Sequence, residues 1–394
     1  MHFDLPTPDS DALAHSQQLA AHLRADILAQ GGAVPFSRFM ELALYAPGWG
    51  YYSAGASKFG AAGDFVTSPE IGSLFAATTA NAIAPVLQQL GLQARLLELG
   101  GGSGAFAEVM LKRLQELDVL PQRYAILEPS ADLRERQRER LQAALTPALF
   151  ARVEWLDRPF EDDWDGLVFA NEVLDALPTP RFLASDGEIY EETVELDAEG
   201  RFVRGAMPAD VLLSASVRHI ETYLERPFAH GYRSEVLPQL PYWIQAVAGG
   251  LQRGAMLFID YGYPRSEFYQ HDRIDGTLRA FYRHRMHNDV YLWPGLQDIT
   301  ASVDFTALAE AGTHAGFDLA GYSNQASFLL GNGITTLLEQ AEEQADEPAR
   351  NRLRDQLKKL TLPTEMGERF QVMGFSREVD FSAAFLMGDL TWRL

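Results

Sequence analysis

A strand-to-helix junction in the first third of the chain carries residue types that suit ligand binding. The segment LLELGGGSGAFAEVM, Leu96 to Met110, passes from an apolar run into glycines and then into a helical pattern. Glycine permits positive φ and close approach of a ligand to the backbone, and the next helix begins with free N–H groups. The series Gly100, Gly102, Gly104 is compatible with a dinucleotide, a nucleoside or a tight turn without ligand, whereas a P-loop is excluded because no Gly-Lys-Ser/Thr follows.

Two carboxylates narrow the choice of ligand. Glu98 lies two residues before the first glycine, where its charge would repel a pyrophosphate and suit a cationic or hydroxyl-bearing ligand. Glu128 ends the next apolar run, at the place where an acid accepts ribose hydroxyls in nucleoside-binding α/β folds, although a solvated strand-end carboxylate is the alternative. Together they favour S-adenosylmethionine, which has a sulfonium, an ammonium and no phosphate, over NAD.

A third polar group follows another apolar run, in FANEVLDALP, residues 169–178. Asn171 and Glu172 lie at a predicted strand's carboxyl end, where the clefts of open α/β sheets are found. They could contact the amino-acid part of the donor or orient the methyl acceptor. The alternative is that Asn171 caps a following helix and Asp175 lies on the surface of that helix.

The elements that position these groups alternate between strand and helix from Ala94 onward. The strand patterns are near-continuous apolar runs, which is typical of a sheet covered on both faces, and Ser130 is a plausible helix N-cap. This alternation predicts a doubly wound α/β domain.

The flanking regions have other patterns. Residues 10–30 predict a helix and residues 181–205 an antiparallel ribbon, followed further along by a helix over 237–254 and a strand over 255–263. Residues 263–305 are predicted to be irregular and 335–360 to be helical. Trp49, Tyr51 and Tyr52 could shield a cofactor or simply pack in a core.

Composition excludes several classes of protein. The chain has 394 residues, no cysteine and a net charge of −21, so disulfides, thiol catalysis and Cys-zinc sites are excluded. That charge disfavours nucleic acid and anionic membranes and suits a cationic ligand or basic protein, or simple solubility. Basic residues cluster at RERQRERL and RAFYRHRMH, which leaves a local anion site open. With no signal peptide or membrane span recognised, we expect a cytoplasmic, bacterial protein.

Several long segments resemble one known family, the MidA-like methyltransferases, over about residues 15 to 375. The family includes the mitochondrial complex I assembly factor that methylates an arginine. The matching segments are GDFVTSPEIGSLFA (63–76), LLELGGGSG (96–104), ILEPSADLRERQ (126–137), FANEVLDALP (169–178), FIDYG (258–262), GTLRAFYRHRMHNDVYLWPGLQDITASVDFTALA (276–309) and MGERF (366–370).

The resemblance implies a class I methyltransferase (Rossmann-like) α/β fold, with a doubly wound sheet, an N-terminal helical cap and α+β insertions. It implies S-adenosyl-L-methionine as cofactor and S-adenosyl-L-homocysteine as product. The expected segments are a cap with a cofactor-closing loop (1–90), a core (91–262) with an insertion at about 180–235, a substrate-side segment (263–305) and a C-terminal core part with a helical insertion (306–394).

The expected cofactor contacts surround the glycine series. The family commonly has a proline where this chain has Gly101, which we expect to loosen the loop without abolishing binding. The cofactor-binding residues expected are Gly63, Asp64, Ser68, Glu70, Glu98, Gly100, Gly102, Ser103, Gly104, Glu128, Pro129 and Asn171.

Acidic residues are expected to bind the molecule that accepts the methyl group. If the acceptor is an arginine, carboxylates can align its guanidinium and take the proton shed after transfer. Our hypothesis places Glu172 and Asp175 beside the acceptor with Asn171 orienting it, although capping and solvation would also explain these residues. Asp298, Asp304 and His287 are expected to bind substrate, or to satisfy loop backbone. No metal is expected, since His284-x-x-His287 lacks a helix with a flanking acid.

Several functions remain open, which differ in whether a methyl group is transferred and in the molecule that accepts it. A protein arginine methyltransferase acting on a respiratory complex I-type subunit is favoured; the alternatives are a non-catalytic assembly chaperone with this fold and a methyltransferase with a small-molecule acceptor. An NAD-dependent enzyme is disfavoured. We expect a protein substrate, no nucleic acid partner, no membrane insertion and a homodimer as the candidate assembly.

Overall fold

A computed structural model describes residues 5–53 and 71–394 of the chain. The helices are α1 Ser10–Ala29, α2 Phe36–Tyr45, α3 Ser73–Leu90, α4 Ala105–Glu116, α5 Ala131–Ala144, α6 Pro147–Phe150, α7 Val211–Tyr223, α8 Leu240–Ala248, α9 Arg265–Phe268, α10 Phe305–His314, α11 Gln325–Gly331, α12 Ile334–Glu343 and α13 Glu347–Thr361. The strands are β1 Ala33–Pro35, β2 Arg95–Leu99, β3 Arg123–Leu127, β4 Val153–Leu156, β5 Trp164–Asn171, β6 Arg181–Ser185, β7 Glu188–Leu196, β8 Phe202–Pro208, β9 Arg233–Glu235, β10 Leu251–Tyr263, β11 Arg279–Tyr282, β12 Arg285–His287, β13 Asp298–Thr300, β14 Val303–Asp304, β15 Asp318–Asn324 and β16 Phe370–Arg377.

The chain folds into two compact units, each assembled from separate segments. The first, which we call the parallel-sheet unit, comprises Val66–Leu174, Leu240–Gly262 and Phe305–Leu394. The second, the antiparallel unit, comprises Met1–Phe65, Asp175–Gln239 and Tyr263–Asp304. The expected cap, insertion and substrate-side segments therefore contribute to one unit, while α3, within the expected 1–90 segment, belongs to the parallel-sheet unit.

The sheet of the parallel-sheet unit has the strand order β15-β16-β10-β5-β2-β3-β4. The pairs from β10 to β4 are parallel, and β16 is antiparallel to both of its neighbours. The chain proceeds from β2 outward through β3 and β4, then returns to β5 on the other side of β2. This reversal makes the carboxyl ends of β2 and β5 the topological switch point, where ligands bind in open α/β sheets.

Both faces of this sheet are covered. Leu257 and Ile259 of β10 belong to the core that α3 and α4 also build, and the ring of Phe106 in α4 stacks on Phe169 of β5 with centroids 4.2 Å apart. Phe258, between Leu257 and Ile259, instead contacts Trp243 of α8 at 6.2 Å. Alternate strand residues therefore pack against different helix layers, which confirms the predicted doubly wound α/β domain.

The antiparallel unit contains two small sheets. One has the order β1-β7-β6-β9 with β8 pairing β7, and the other has the order β12-β11-β13. The predicted ribbon over 181–205 is confirmed by β6, β7 and β8, with Gly187 and Gly200 at positive φ in the turns. The prediction that residues 263–305 are irregular was wrong, because β11, β12 and β13 form a sheet there.

The predicted helix over 237–254 was also wrong at its end. Helix α8 stops at Ala248, and β10 already begins at Leu251. Gly254 lies in the strand beside Gly166, where a Cβ would fall 1.8 Å from the Gly166 carbonyl oxygen. Glycine at 254 thus permits a close strand approach rather than ending a helix.

The long helical pattern over 335–360 is two helices rather than one. Asp346 separates α12 from α13 and caps α13 by accepting from the Ala349 N–H at 2.9 Å. None of the helices in the described ranges, 5–53 and 71–394, is both long enough and apolar enough to cross a membrane.

Candidate functional site

The glycine series forms the turn between β2 and α4 at the switch point. Gly100, Gly102 and Gly104 all have positive φ, at 67°, 51° and 81°. The Gly100 N–H donates to the carbonyl of Leu127 at 3.0 Å, which ties the turn to the end of β3. A backbone of this shape exposes N–H groups and leaves no Cβ between itself and a ligand.

Gly101 is packed more tightly than its neighbours. A Cβ at this position would lie 2.7 Å from Ile126 Cγ2 and 3.1 Å from Gln137 Nε2. The absence of a side chain at 101 therefore lets the turn lie directly on β3 and α5. We expected Gly101 to loosen the loop, but the close packing around this residue restrains the turn.

Glu98 is buried beneath this turn, with 3% of its surface exposed. The Tyr124 hydroxyl donates to its Oε2 at 2.9 Å. Burial raises the pKa of Glu98 to about 8, with the charge of Glu128 adding to the shift and the Tyr124 hydrogen bond opposing it. A pKa raised in this way favours the protonated form of Glu98 near neutral pH, and a bound cation would favour the ionised form.

Glu128 lies at the end of β3 and is 4% exposed. Its Oε1 accepts from the Ser130 N–H at 3.0 Å, and its Oε2 accepts from Gln137 Nε2 at 3.3 Å. Burial raises the pKa of Glu128 to about 7, against the lowering effect of these hydrogen bonds and of the Arg134 charge. Each oxygen keeps a lone pair, so the carboxylate can still accept two ligand hydroxyls.

Gln137 is a site residue that the sequence reasoning missed. It is fully buried in α5, and its Nε2 also donates to the Gly102 carbonyl at 2.9 Å, while its Oε1 accepts from Trp155 Nε1 at 2.9 Å. It therefore bridges the glycine turn and the Glu128 carboxylate. One signal was available: Gln137 is a polar residue on the buried stripe of α5, between Leu133 and Leu141.

The predicted N-cap Ser130 is confirmed at the start of that helix. Its Oγ accepts from the Leu133 N–H at 3.4 Å. The cap sets where α5 begins, and hence which face of the helix carries Gln137 toward the turn.

Asn171 and Glu172 close β5 beside the glycine turn of β2. Asn171 Nδ2 donates to Glu172 Oε1 at 3.0 Å, whereas its buried Oδ1 has no hydrogen-bond partner among the described residues. A buried acceptor of this kind suits a ligand ammonium. Turns rather than a helix follow Asn171, so it caps no helix, and the N-capping alternative is wrong.

Glu172 has a left-handed backbone with φ of 53°. Its N–H donates to the Ile259 carbonyl at 2.9 Å, and two residues later the Leu174 N–H donates to Asp260 Oδ2 at 3.0 Å. Asp260 is 1% exposed and was not predicted as a site residue. These two bonds hold a strained residue at the switch point, a combination that is often found at functional sites.

In the antiparallel unit, buried acids and half-buried tyrosines form a cluster. The Tyr52 hydroxyl donates to Asp298 Oδ1 at 2.9 Å, and the ring of Tyr52 stacks on Tyr45 with centroids 5.4 Å apart. Asp298 and Asp175 are 3% and 4% exposed, so the surface position considered for Asp175 was wrong. Burial, followed by the charge of Asp298, raises the pKa of Tyr52 well above its usual value, and Asp175 adds to the shift.

One more polar group shares the β13 face of Asp298. Thr300 lies two residues along the strand and therefore points to the same side. Its hydroxyl is buried and has no hydrogen-bond partner in the part of the chain that the structure describes. We call Tyr45, Tyr52, Asp175, Asp298 and Thr300 the acid–tyrosine cluster.

The other predicted substrate residues have different surroundings. Asp304 accepts from Arg265 Nε at 3.1 Å in a pair that is nearly buried on both sides. His287 is 2% exposed, its Nδ1 accepts from the Asp289 N–H, and burial lowers its pKa. Asp304 is thus already engaged by an arginine.

Two further predicted cofactor residues, Ser103 and Pro129, adjoin the groups described above. Ser103 accepts from the Ala105 N–H at 3.3 Å within the glycine turn, and Pro129 is exposed directly after Glu128. The predicted contacts Gly63, Asp64, Ser68 and Glu70 lie outside the described residues. Within residues 5–53 and 71–394 there is no group of three or more acids and histidines that could hold a metal ion.

Comparison with known proteins agrees with this geometry. The family described as "Putative S-adenosyl-L-methionine-dependent methyltransferase" matches residues 78–323. A crystal structure of a COG1565 superfamily member from Burkholderia thailandensis, bound to S-adenosyl-homocysteine, is 44% identical with a TM-score of 0.91, covering 99% of this chain and 100% of that one.

Curated relatives are more distant. "Protein arginine methyltransferase NDUFAF7 homolog, mitochondrial" of Drosophila melanogaster is 29% identical over 93% of this chain and 87% of its own length. The Homo sapiens protein arginine methyltransferase NDUFAF7 is 28% identical over 86% of this chain and 79% of its own length.

The cofactor of this family fits the residues at the switch point. A glycine-rich turn, a carboxylate at the end of β3 and, at the end of β5, a buried amide oxygen without a partner among the described residues suit the three parts of a sulfonium nucleoside that bears an amino acid. With the family match over more than half of the sequence, the chain belongs to the MidA-like S-adenosyl-L-methionine-dependent methyltransferases.

Proposed function

We propose that this protein transfers a methyl group from S-adenosylmethionine to a guanidinium nitrogen of an arginine in a protein, with a respiratory complex I-type subunit as the expected substrate. The observation that carries the proposal is the acid–tyrosine cluster, in which Tyr52 donates to a buried Asp298 at 2.9 Å. The curated relatives named as protein arginine methyltransferases support the same acceptor.

In this proposal, each group at the switch point binds a different part of the methyl donor. Glu128 accepts the two ribose hydroxyls, and the turn from Gly100 to Gly104 lies along the methionine part. Asn171 Oδ1 accepts from the ammonium, because that oxygen is buried and has no other donor among the described residues. Glu98, beneath the turn, becomes ionised next to the ligand's positive charge.

The acceptor side uses the chemistry of the buried acids. A guanidinium is planar and permanently charged, so it binds carboxylates through two parallel hydrogen bonds. Asp298 and Asp175 supply the carboxylates, Thr300 a further oxygen, and Tyr45 and Tyr52 the aromatic faces on which a guanidinium stacks. Burial excludes water, which strengthens each of these contacts.

The reaction is a displacement at carbon. When bound, the cofactor supplies an electrophilic methyl group: the acceptor nitrogen forms the new C–N bond, and the C–S bond breaks with its electron pair retained by a sulfur that becomes neutral. The acceptor nitrogen then carries one proton too many. In our proposal the carboxylate of Glu172 or Asp175 aligns the guanidinium and takes that proton, while Asn171 restrains the Glu172 carboxylate through its 3.0 Å hydrogen bond.

The test is labelled methyl transfer in lysate from a strain that lacks the protein. Purified protein is added with methyl-labelled cofactor, and the labelled products are separated into proteins and small molecules and identified by mass spectrometry. We expect label on an arginine side chain. Asp298→Asn should lower the rate by about 100-fold, the effect of losing a charge-assisted hydrogen bond in the transition state, with S-adenosyl-homocysteine affinity unchanged.

A matched control is available in the same unit. Asp186 lies in the turn after β6 with 86% of its side chain exposed, and Asp186→Asn should leave the rate unchanged. Label found only in small molecules would contradict the protein substrate. Cofactor binding without any labelled product would favour the non-catalytic assembly chaperone instead.

A further inference from the structure

A pocket in the antiparallel unit is lined by arginines that neither the methyl donor nor the acid–tyrosine cluster uses. It has a volume of about 250 Å³, and its charged lining comprises Arg204, Arg273, Arg279, Asp272 and Asp275. Pockets that hold drug-sized ligands measure roughly 300–1,000 Å³. The size therefore fits a single small polar group better than an extended molecule.

Two of the three arginines have no acidic partner in the part of the chain that the structure describes. Arg273 Nη1 donates to the carbonyls of Glu267 and Phe268 at 2.7 and 2.9 Å, and Arg279 Nη1 donates to the Leu278 carbonyl at 2.7 Å. Neither forms an ion pair with a carboxylate among residues 5–53 and 71–394. Each guanidinium has five N–H donors, so both retain donors for a ligand.

The third arginine is already neutralised. Arg204 Nη1 donates to both oxygens of Asp275 at 2.8 and 3.0 Å. Burial by itself would raise the pKa of Asp275, but Arg181 and Arg204 outweigh it and hold that pKa below its usual value. Asp275 is therefore a charged, occupied carboxylate that does not compete for Arg273 and Arg279.

The backbone between the two free arginines is held rigidly. The buried Arg181 donates to the Asp275 carbonyl at 2.8 Å, and Glu235 accepts from the Thr277 N–H at 2.7 Å. Gly276, between them, has φ of 71°, and a Cβ there would lie 2.4 Å from Glu235 Oε1. The turn is thus packed against a buried ion cluster, which presets the separation of the arginines.

The charge balance leaves this pocket positive. The ion cluster around the buried Arg181 pairs Arg181, Arg204 and Arg233 with an equal number of acids, Glu192, Glu235 and Asp275. Among the described residues, Arg273 and Arg279 then share the lining with one further acid, Asp272. This excess of positive charge is local, since the chain as a whole has a net charge of −21. It is not cancelled by distant acids, because salt screens charges beyond about 8–10 Å.

We propose that this pocket is an oxyanion-binding subsite in which Arg273 and Arg279 bind one phosphate or carboxylate group. The two free guanidinium groups donate to the anion's oxygens, and Arg204 and Asp275 form a neutral wall beside it. The anion is either a small free ion or an acidic side chain of a bound polypeptide, which share the same recognition chemistry. The subsite does not depend on the identity of the methyl acceptor.

The experiment is calorimetric titration of the full-length protein with inorganic phosphate at constant ionic strength, with S-adenosyl-homocysteine present so that the cofactor site is filled. A blocked tetraglutamate peptide is titrated in parallel, with tetraglutamine as its neutral counterpart. We expect saturable phosphate binding that is weakened about tenfold by Arg279→Gln and by Arg273→Gln, as for loss of one charge-assisted contact. Asp272→Asn should tighten binding, because it removes the acid of the lining that has no ion pair among the described residues.

Arg201→Gln is the matched control, since Arg201 is 73% exposed in the same unit and pairs with Asp197 outside the pocket. Tighter binding of tetraglutamate than of phosphate would identify a polypeptide as the source of the anion, and phosphate binding alone would identify a small ion. The proposal is overturned if neither probe saturates, or if the Arg273, Arg279 and Arg201 variants all bind phosphate like the unmodified protein.

Discussion

The side-chain amide of Gln137 donates to the carbonyl oxygen of Gly102 at 2.9 Å. The two residues are 35 positions apart, and the same nitrogen reaches Glu128 Oε2 at 3.3 Å. One buried side chain thus links the turn that would follow the methionine part of the cofactor to the acid that would hold its ribose. The separation of these two groups is therefore set by α5.

Replacing Gln137 with leucine should weaken cofactor binding. The variant loses the bridge and leaves the Trp155 indole N–H without its acceptor, at a cost of about 1–3 kcal/mol. We expect the S-adenosyl-homocysteine dissociation constant to rise about tenfold, as for loss of one well-placed hydrogen bond. Calorimetry measures the affinity, and thermal unfolding measures the stability.

Gln142→Leu provides the control, because Gln142 is exposed on the same helix. If the Gln137 variant loses stability but binds the cofactor with native affinity, Gln137 stabilises the fold without positioning the site.

Cofactor binding should release protons near neutral pH. Burial raises the pKa values of Glu98 and Glu128 to about 8 and about 7, so both carboxyls carry protons at pH 6. A bound cation and two ribose hydroxyls favour the ionised forms. The affinity for S-adenosylmethionine should therefore rise between pH 6 and pH 8, by up to about tenfold per pH unit for each coupled carboxyl, and level off above pH 8.

Calorimetry in buffers with different ionisation enthalpies counts the protons released. Glu128→Gln should reduce that number as well as the affinity. Folding stability without the cofactor should depend on pH in the opposite direction from the affinity. Folding raises both pKa values above 4.5, so the stability that these two carboxyls contribute is lost as the pH rises from about 4.5 to about 8. A binding enthalpy that does not depend on the buffer would contradict the proposed ionisation.

Replacing Glu172 with glycine should distinguish the effect of backbone strain at this position from the role of the carboxylate in the reaction. Glu172 has φ of 53°, a conformation that costs a non-glycine residue roughly 1–2 kcal/mol. Glu172→Gly relieves that cost, so we expect a thermal unfolding midpoint no lower than that of the unmodified protein. Methyl transfer should nevertheless fall by a factor of about 100 or more if the carboxylate acts on the acceptor.

Glu225→Gly is the matched comparison, since Glu225 also has positive φ, at 54°, but lies at the end of α7. It should gain a similar stability and keep full turnover. Full turnover in Glu172→Gly would remove Glu172 from the reaction.

The parts of the site that the sequence predicted well are those encoded by neighbouring residues. An apolar run followed by glycines defines a strand and its turn, so Gly100, Glu98 and Glu128 could be placed at strand ends before any contact was known. Parallel strands then bring those ends to one edge. The helix predicted through residue 254 was wrong because Gly254 permits strand pairing beside Gly166, a contact 88 positions away that leaves no local signal.

Protonation and pairing depend on tertiary structure. The position of Glu98 before the glycines suggests an anion, yet burial by the surrounding strands raises its pKa to about 8, so its charge depends on the ligand. The hydrogen bond from Tyr52 to Asp298 joins residues 246 positions apart. No spacing pattern can distinguish Asp298 from Asp304, which is instead neutralised by Arg265.

The sequence by itself determined the strand–helix order, the glycine turn, the acids at the strand ends and the resemblance to a methyltransferase family, because these depend on local propensity and short motifs. Only the tertiary structure decided that Gln137 bridges the turn to Glu128, that Asp298 meets Tyr52, and that Arg273 and Arg279 line one pocket together. Such relationships arise from packing between distant segments, where burial changes both the charge of a group and the partners within its reach.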